Sequence, residues 1–126
     1  MQPGDTTEPT ADGLRVARTD HGTVAVFGVT GEVDILTAPH LDRAVGEVYG
    51  TGVTHVVLDL TGVPFLSSAG LSVLVDHHAR GKRDGVGLSV VATQRATLRA
   101  IQMTALDRIF PLYTSADEAV AAAVAP

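Results

Sequence analysis

The stretch DLTGVPFLSSAGL, residues 59–71, contains the point at which a buried strand becomes a helix. The near-continuous apolar run at residues 55–60 is typical of a central strand that is buried on both faces. Beyond the stretch, one helical face is predicted by the spacing of Leu71, Leu74, Val75 and His78. The serine pair Ser67-Ser68 lies between the two elements and is therefore predicted to start the helix.

Upstream of this stretch, the sequence predicts a β-hairpin and a first helix. Residues 15–19 and 23–29, the second rich in β-branched valine, flank the turn-like tripeptide DHG at residues 20–22. Thr37 is a suitable N-cap, and Pro39 fits the first turn of a helix.

Downstream, a polar loop is predicted at residues 81–85 and a strand at residues 86–92. Thr93 or Thr97 is expected to cap a third helix. Residues 115–118 (SADE) have the form of a capping box, in which the serine and the glutamate each bond the other's backbone N–H, and they open a last helix. Strands and helices thus alternate after the hairpin, which indicates an α/β fold around a mixed sheet.

The length and composition are those of one ordinary domain. The chain has 126 residues, and 45% of them are hydrophobic, which is enough for a core. Residues 1–13 are rich in Pro, Gly, Thr and acidic residues, so we expect a flexible tail there and a single domain at residues 14–126.

Charge and residue usage exclude several functional classes. The net charge of −5 disfavours binding to a phosphate backbone, so no nucleic-acid partner is expected. The absence of cysteine excludes disulfides and Cys-based zinc sites. Neither a signal peptide nor a membrane span is predicted, and we therefore expect a cytoplasmic protein.

The serine pair has three interpretations. As a helix cap, a serine would contribute about 1 kcal/mol to stability. As a hydrolase nucleophile it would need the pattern G-x-S-x-G, but LSSAG at residues 66–70 lacks the first glycine. As a phosphorylation site it would place a phosphate against the free N–H groups and the positive dipole end of a helix. That modification would add about −1.5 to −2 charges without unfolding the domain.

Neither a metal site nor a nucleotide site is predicted. Adjacent helical residues point about 100° apart, so His77 and His78 do not converge on one ion. We expect His78 at the edge of the core and His77 in solvent. Asp76 and Arg83 stand where a Walker A motif needs its first glycine and its hydroxyl residue. We therefore expect no metal ion and no cofactor.

Three segments, in their order and spacing, resemble the STAS family, and specifically the anti-sigma factor antagonists (anti-anti-sigma factors). They are GEVDILTA at residues 31–38, VLDLTGVPFLSSAGL at residues 57–71 and IQMTALDRIF at residues 101–110. The resemblance extends over residues 14–124. It implies a STAS-type single α/β domain with a mixed central sheet and about four α-helices.

The resemblance also implies a regulatory circuit in bacteria in which this chain is a binding protein and not an enzyme. Such a protein binds an anti-sigma factor that is also a serine kinase, which releases a sigma factor and permits transcription. The kinase switches the antagonist off by phosphorylating a serine, and a serine phosphatase reverses this. The family's modified residue lies two positions before the glycine that precedes leucine, which implies Ser68. Ser67, which stands where the family commonly has aspartate, is the second candidate.

A partner-binding surface around the serine pair is implied as well, formed by Glu32, Asp34, Thr37, Ser67, Ser68, Ala69 and Gly70. We expect the free protein to be a monomer. One alternative is a constitutive STAS binding subunit of a transport or sensory assembly, in which Ser67 and Ser68 only cap the helix. Another is a small serine hydrolase, although its length and its missing base argue against it.

Overall fold

The computed structural model describes residues 5–7 and 13–125. The strands in these ranges are β1 (Asp5–Thr7), β2 (Arg15–His21), β3 (Val24–Thr30), β4 (His55–Gly62), β5 (Gly87–Val91) and β6 (Leu112–Tyr113). The α-helices in the same ranges are α1 (Ala38–Gly46), α2 (Ser68–Asp84), α3 (Arg95–Met103) and α4 (Ala116–Val124). A 3₁₀ turn, Leu106–Arg108, lies between α3 and β6.

The strands form one mixed sheet in the order β1-β2-β3-β4-β5-β6. β1, β2 and β3 are antiparallel neighbours, whereas β3, β4, β5 and β6 run parallel. The predicted hairpin, mixed sheet and four helices are therefore confirmed. Since parallel strands end at the same edge of a sheet, the segments that follow β3, β4 and β5 lie side by side at that edge. The serine pair belongs to the segment that follows β4.

Different helices cover the two faces of the sheet. Helices α1, α2 and α3 bury one face around a core whose largest members include Phe27, Leu41, Leu58, Leu74 and Ile101. Helix α4 covers the other face against a smaller cluster of Val24, Val26, Val57, Val91 and Ala119. β4 contributes to both cores, which explains its near-continuous apolar sequence. Within the described ranges, no helix has the length and apolar character that a membrane span requires.

The second helix is longer than the sequence indicated. The predicted loop at residues 81–85 is wrong, because α2 continues to Asp84 and ends only at Gly85, where φ is 74°. Lys82 and Arg83 lie in the last helical turn, where positive charge is favourable next to the negative end of the helix dipole. Exposed polar residues in a final turn resemble a loop sequence, which explains the error.

The helix caps agree only in part with the predictions. Gln94, and neither Thr93 nor Thr97, is the N-cap of α3. Thr97 is buried, and its hydroxyl donates a hydrogen bond of 2.6 Å to the backbone carbonyl of Val63. Ser115 does cap α4 by accepting from the backbone N–H of Glu118 at 3.1 Å. The Glu118 carboxylate accepts from side-chain hydroxyls nearby, so the reciprocal half of the capping box is replaced.

Most of the predicted tail, residues 1–13, lies outside the described residues. Residues 5–7 are described, and they form β1, an edge strand that the sequence did not predict. The chain then enters the domain at Leu14, which is completely buried.

Candidate functional site

The serine pair forms the start of α2, and the two residues have different surroundings. Ser67 is the N-cap in extended conformation, half-buried, and its hydroxyl accepts from the backbone N–H of Gly70 at 3.4 Å. Ser68 is the first helical residue and is exposed to solvent. Ser67 is therefore the helix cap, and the hydroxyl of Ser68 is accessible at the helix N-terminus.

A short parallel bridge brings the segment after β3 beside the serine pair. Val33 pairs with Leu66 outside the named strands. The backbone N–H of Val33 donates to Phe65 at 3.0 Å, and the backbone N–H of Ser67 donates to the carbonyl of Val33 at 2.9 Å. Glu32 and Asp34, which flank Val33, are thus held at the same edge of the sheet as Ser67.

Asp34 organises the turn that leads into α1. Its Oδ1 accepts from the backbone N–H of Leu36 at 2.9 Å and from that of Thr37 at 3.0 Å. The hydrogen bond from the Thr37 backbone N–H lowers the pKa of Asp34 below its ordinary value. This effect is larger than the rise in pKa that partial desolvation causes. The carboxylate is therefore charged at neutral pH, and it stabilises the turn by binding these N–H groups.

Two residues of the predicted partner-binding set are buried. Thr37 is 1% exposed, and its hydroxyl donates to the carbonyl of Glu32 at 2.9 Å. Gly70 is also buried, and a Cβ there would lie 2.5 Å from Leu66 Cδ1 and 2.8 Å from Val33 Cγ1. Both residues therefore position the surface and do not present a side chain on it. Glu32 and Ser68 are exposed, while Asp34, Ser67 and Ala69 are half-buried.

The chain that forms this edge matches a known family. The model of the STAS domain matches residues 15–119. This chain belongs to the STAS domain family. The anti-sigma-F factor antagonist RsfB of Mycobacterium tuberculosis is 38% identical over 111 residues, which cover 86% of this chain and 88% of that protein. RsfA of the same organism, also called an anti-sigma-F factor antagonist, is 24% identical over 96% of each chain.

Solved structures agree with the STAS assignment. An anti-sigma factor antagonist from Mycobacterium paratuberculosis has a TM-score of 0.80 and 40% sequence identity, and the match covers 90% of this chain and 96% of that one. The antagonist SpoIIAA in its unphosphorylated form has a TM-score of 0.65 over 92% of each chain, but only 13% identity. The second match therefore concerns the fold alone.

An apolar rim around the serine pair of this STAS domain was missed by the sequence analysis. Ile35 and Leu36 are 78% and 68% exposed, and Phe65 is 46% exposed. Ile35 borders a groove of about 410 Å³ between α1 and α2, which ends at Ala69, one residue from Ser68. Two adjacent apolar residues between Asp34 and Thr37, inside a turn, were the available signal, because apolar residues in a polar turn have no core to face.

Of the two histidines of α2, His77 was assigned to the wrong environment, whereas His78 lies at the edge of the core as predicted. His77 is 4% exposed, with Nε2 at 2.7 Å from Asp42 Oδ1 and Nδ1 at 2.8 Å from the Tyr49 hydroxyl. His78 is half-buried beside Phe110. His77 is nine residues beyond Ser68, or about 14 Å along the helix, so it cannot act as that serine's base. Among the described residues, no three His, Cys, Asp or Glu side chains are grouped as metal ligands would be.

Proposed function

We propose that this protein is an anti-sigma factor antagonist that is switched off by phosphorylation of Ser68. The unmodified protein binds an anti-sigma factor with serine kinase activity and so releases a sigma factor in the bacterial cytoplasm. A serine phosphatase restores the active form. The observation that carries the proposal is the exposed Ser68 at the first position of α2, next to an apolar rim, in a chain 38% identical to a protein called an anti-sigma-F factor antagonist.

The position of Ser68 suits a reversible switch for physical reasons. A phosphate at the start of a helix meets unpaired backbone N–H groups and the positive end of the dipole, so the fold tolerates it. Ser67 caps the helix without adding charge, and the first turn of α2 contains no acidic residue, so the phosphate would have no carboxylate next to it along the chain. The outcome is a change of about −1.5 to −2 charges at one point of the binding surface. Such a change suits a protein that acts by binding a partner and not by catalysis.

The partner surface in this proposal consists of Glu32, Asp34, Ser68 and Ala69 with the apolar residues Ile35, Leu36 and Phe65. Apolar side chains would supply most of the contact energy, since charges at the rim of an interface contribute little. Phosphorylation would act against this surface because a like charge opposite a partner's carboxylates costs several kcal/mol.

Affinity capture from a lysate of the host tests the proposal. We expect immobilised wild type and Ser68→Ala to retain an anti-sigma factor with kinase-type ATPase activity, and Ser68→Asp to lose it. Ala79→Asp is the matched control, because it adds the same charge at an exposed position of α2 about 17 Å further along the helix. This variant should retain the partner.

Three results would contradict the proposal. If all four proteins retain the same partners, Ser68 is only a helix residue, and a constitutive STAS binding subunit becomes the better account. If Ser68→Asp and Ala79→Asp both lose the partner, the effect is one of overall charge and not of position. Labelling of wild type by a fluorophosphonate probe would instead point to a serine hydrolase.

A further inference from the structure

One face of α3 combines positive charge with an exposed apolar surface. Arg95, Arg99 and Met103 follow at i, i+4 and i+8, and therefore form one stripe along the helix. All three are exposed, Met103 at 78%. The stripe borders a groove of about 480 Å³ whose other wall is Phe65 and Leu66, the two residues before the serine pair.

The two arginines of this stripe lack acidic partners. In a chain of net charge −5, α3 contains no acidic residue at all. Within the described part of the chain, no carboxylate lies within 4.0 Å of Arg95 or Arg99, whereas Arg18 pairs with Asp20 at 2.9 Å. Two unpaired arginines beside an apolar groove give this acidic protein a local positive surface there.

The stripe belongs to the same edge of the domain as Ser68. The Gln94 side-chain amide donates to the carbonyl of Thr61 at 2.9 Å, which fixes the start of α3 against the segment leading to the serine pair. At the other end of α3, Thr104 and Leu106 line a second groove together with Ser68 and Leu71. A partner that covers Ser68 would therefore lie close to the C-terminal end of α3, where the stripe ends at Met103.

We propose that the groove between Phe65 and α3 binds an acidic amphipathic segment of the anti-sigma factor. Carboxylates of that segment would pair with Arg95 and Arg99, and an apolar side chain would lie between Phe65 and Met103. This inference rests on the proposed function and deepens it, because it states the sign of the partner's surface. It also explains the switch: a phosphate on Ser68 would stand beside the acidic segment that the arginines attract.

The test is the affinity of the purified anti-sigma factor for charge-reversed variants, measured by isothermal titration calorimetry. Arg95→Glu/Arg99→Glu should weaken binding about 10- to 100-fold. Lys82→Glu/Arg83→Glu, with the same change in net charge, lies at the far end of α2 and should change the affinity less than about 3-fold. The wild-type affinity should also fall with added salt more steeply than that of the α3 variant.

A photocrosslinker at Met103 identifies the occupant. Met103→p-benzoylphenylalanine should crosslink to a segment of the anti-sigma factor with at least two Asp or Glu residues. A crosslink to a basic segment, or to a second copy of this chain, would overturn the inference. So would equal affinities of wild type and Arg95→Glu/Arg99→Glu when Ser68→Asp has lost binding, although the proposed function would then stand. If wild type binds no anti-sigma factor, both fail.

Discussion

Gly81→Ala should lower the free energy of unfolding by about 2 to 3 kcal/mol, even though alanine favours helices. Gly81 is a buried residue of α2, and a Cβ there would overlap the backbone carbonyl oxygen of Val86. The chain folds back over Gly81, because the backbone N–H of Val86 donates to the Gly81 carbonyl at 2.8 Å. Backbone cannot move aside as a side-chain tip can, so the clash exceeds the helix-propensity gain of about 1 kcal/mol.

Gly46→Ala is the control for this prediction. Gly46 is the last residue of α1, and the nearest atom to its hypothetical Cβ is Nη1 of Arg80 at 4.0 Å. The same substitution should therefore leave stability unchanged or raise it by about 0.5 kcal/mol. Urea unfolding followed by circular dichroism measures both variants. Equal midpoints for Gly81→Ala and Gly46→Ala would show that the backbone at Val86 does not approach Gly81 as closely as it does in this structure.

His77→Ala should destabilise the domain by about 2 to 3 kcal/mol. The imidazole joins α2 to Asp42 of α1 and to Tyr49 just beyond α1, and the Tyr49 ring stacks on it at 5.7 Å between centroids. The Arg80 guanidinium covers the same Tyr49 ring at 3.9 Å. Truncation would leave a cavity and remove the 2.8 Å hydrogen bond between the Tyr49 hydroxyl and His77 Nδ1. Asp42, which is 57% exposed, can be solvated again at little cost.

His78→Ala serves as the matched variant because it removes the same side chain one position later. His78 is half-buried and tilted against Phe110 at 6.1 Å between ring centroids. Its loss should cost about 1 kcal/mol or less. The order of the two unfolding midpoints is the decisive readout: a larger effect for His78→Ala would contradict the hydrogen bonds that Asp42 and Tyr49 make to the buried His77.

The sequence predicted those elements whose patterns are local. The apolar run of β4, the hairpin of β2 and β3 and the serine start of α2 each follow from a few neighbouring residues, and each is confirmed. Two of the errors, at His77 and Thr97, originate in tertiary contacts. His77 is buried because Tyr49, 28 positions earlier, packs on it. Thr97 faces inward, where its hydroxyl donates a hydrogen bond to the carbonyl of Val63. Spacing within one segment cannot reveal either contact.

The candidate site was predicted as a set of positions but not as a surface. Resemblance grouped Glu32, Asp34 and Ser68, and the bridge between Val33 and Leu66 does bring them to one edge. Resemblance did not distinguish residues that support this surface, such as Gly70, from those that form it. The two arginines of the α3 stripe, Arg95 and Arg99, lie outside the three segments that carry the resemblance. Its significance appears only when the groove beside Phe65 is known.

Phosphate transfer to Ser68 is the most direct test of the regulatory account. Wild type, Ser68→Ala and Ser67→Ala would each be incubated with the purified anti-sigma factor and ATP, and the products mapped by tandem mass spectrometry. We predict one phosphate on Ser68 in wild type, the same site in Ser67→Ala, and no modification of Ser68→Ala. A phosphate on Ser67, equal labelling of wild type and Ser68→Ala, or no transfer to wild type would contradict the switch at Ser68.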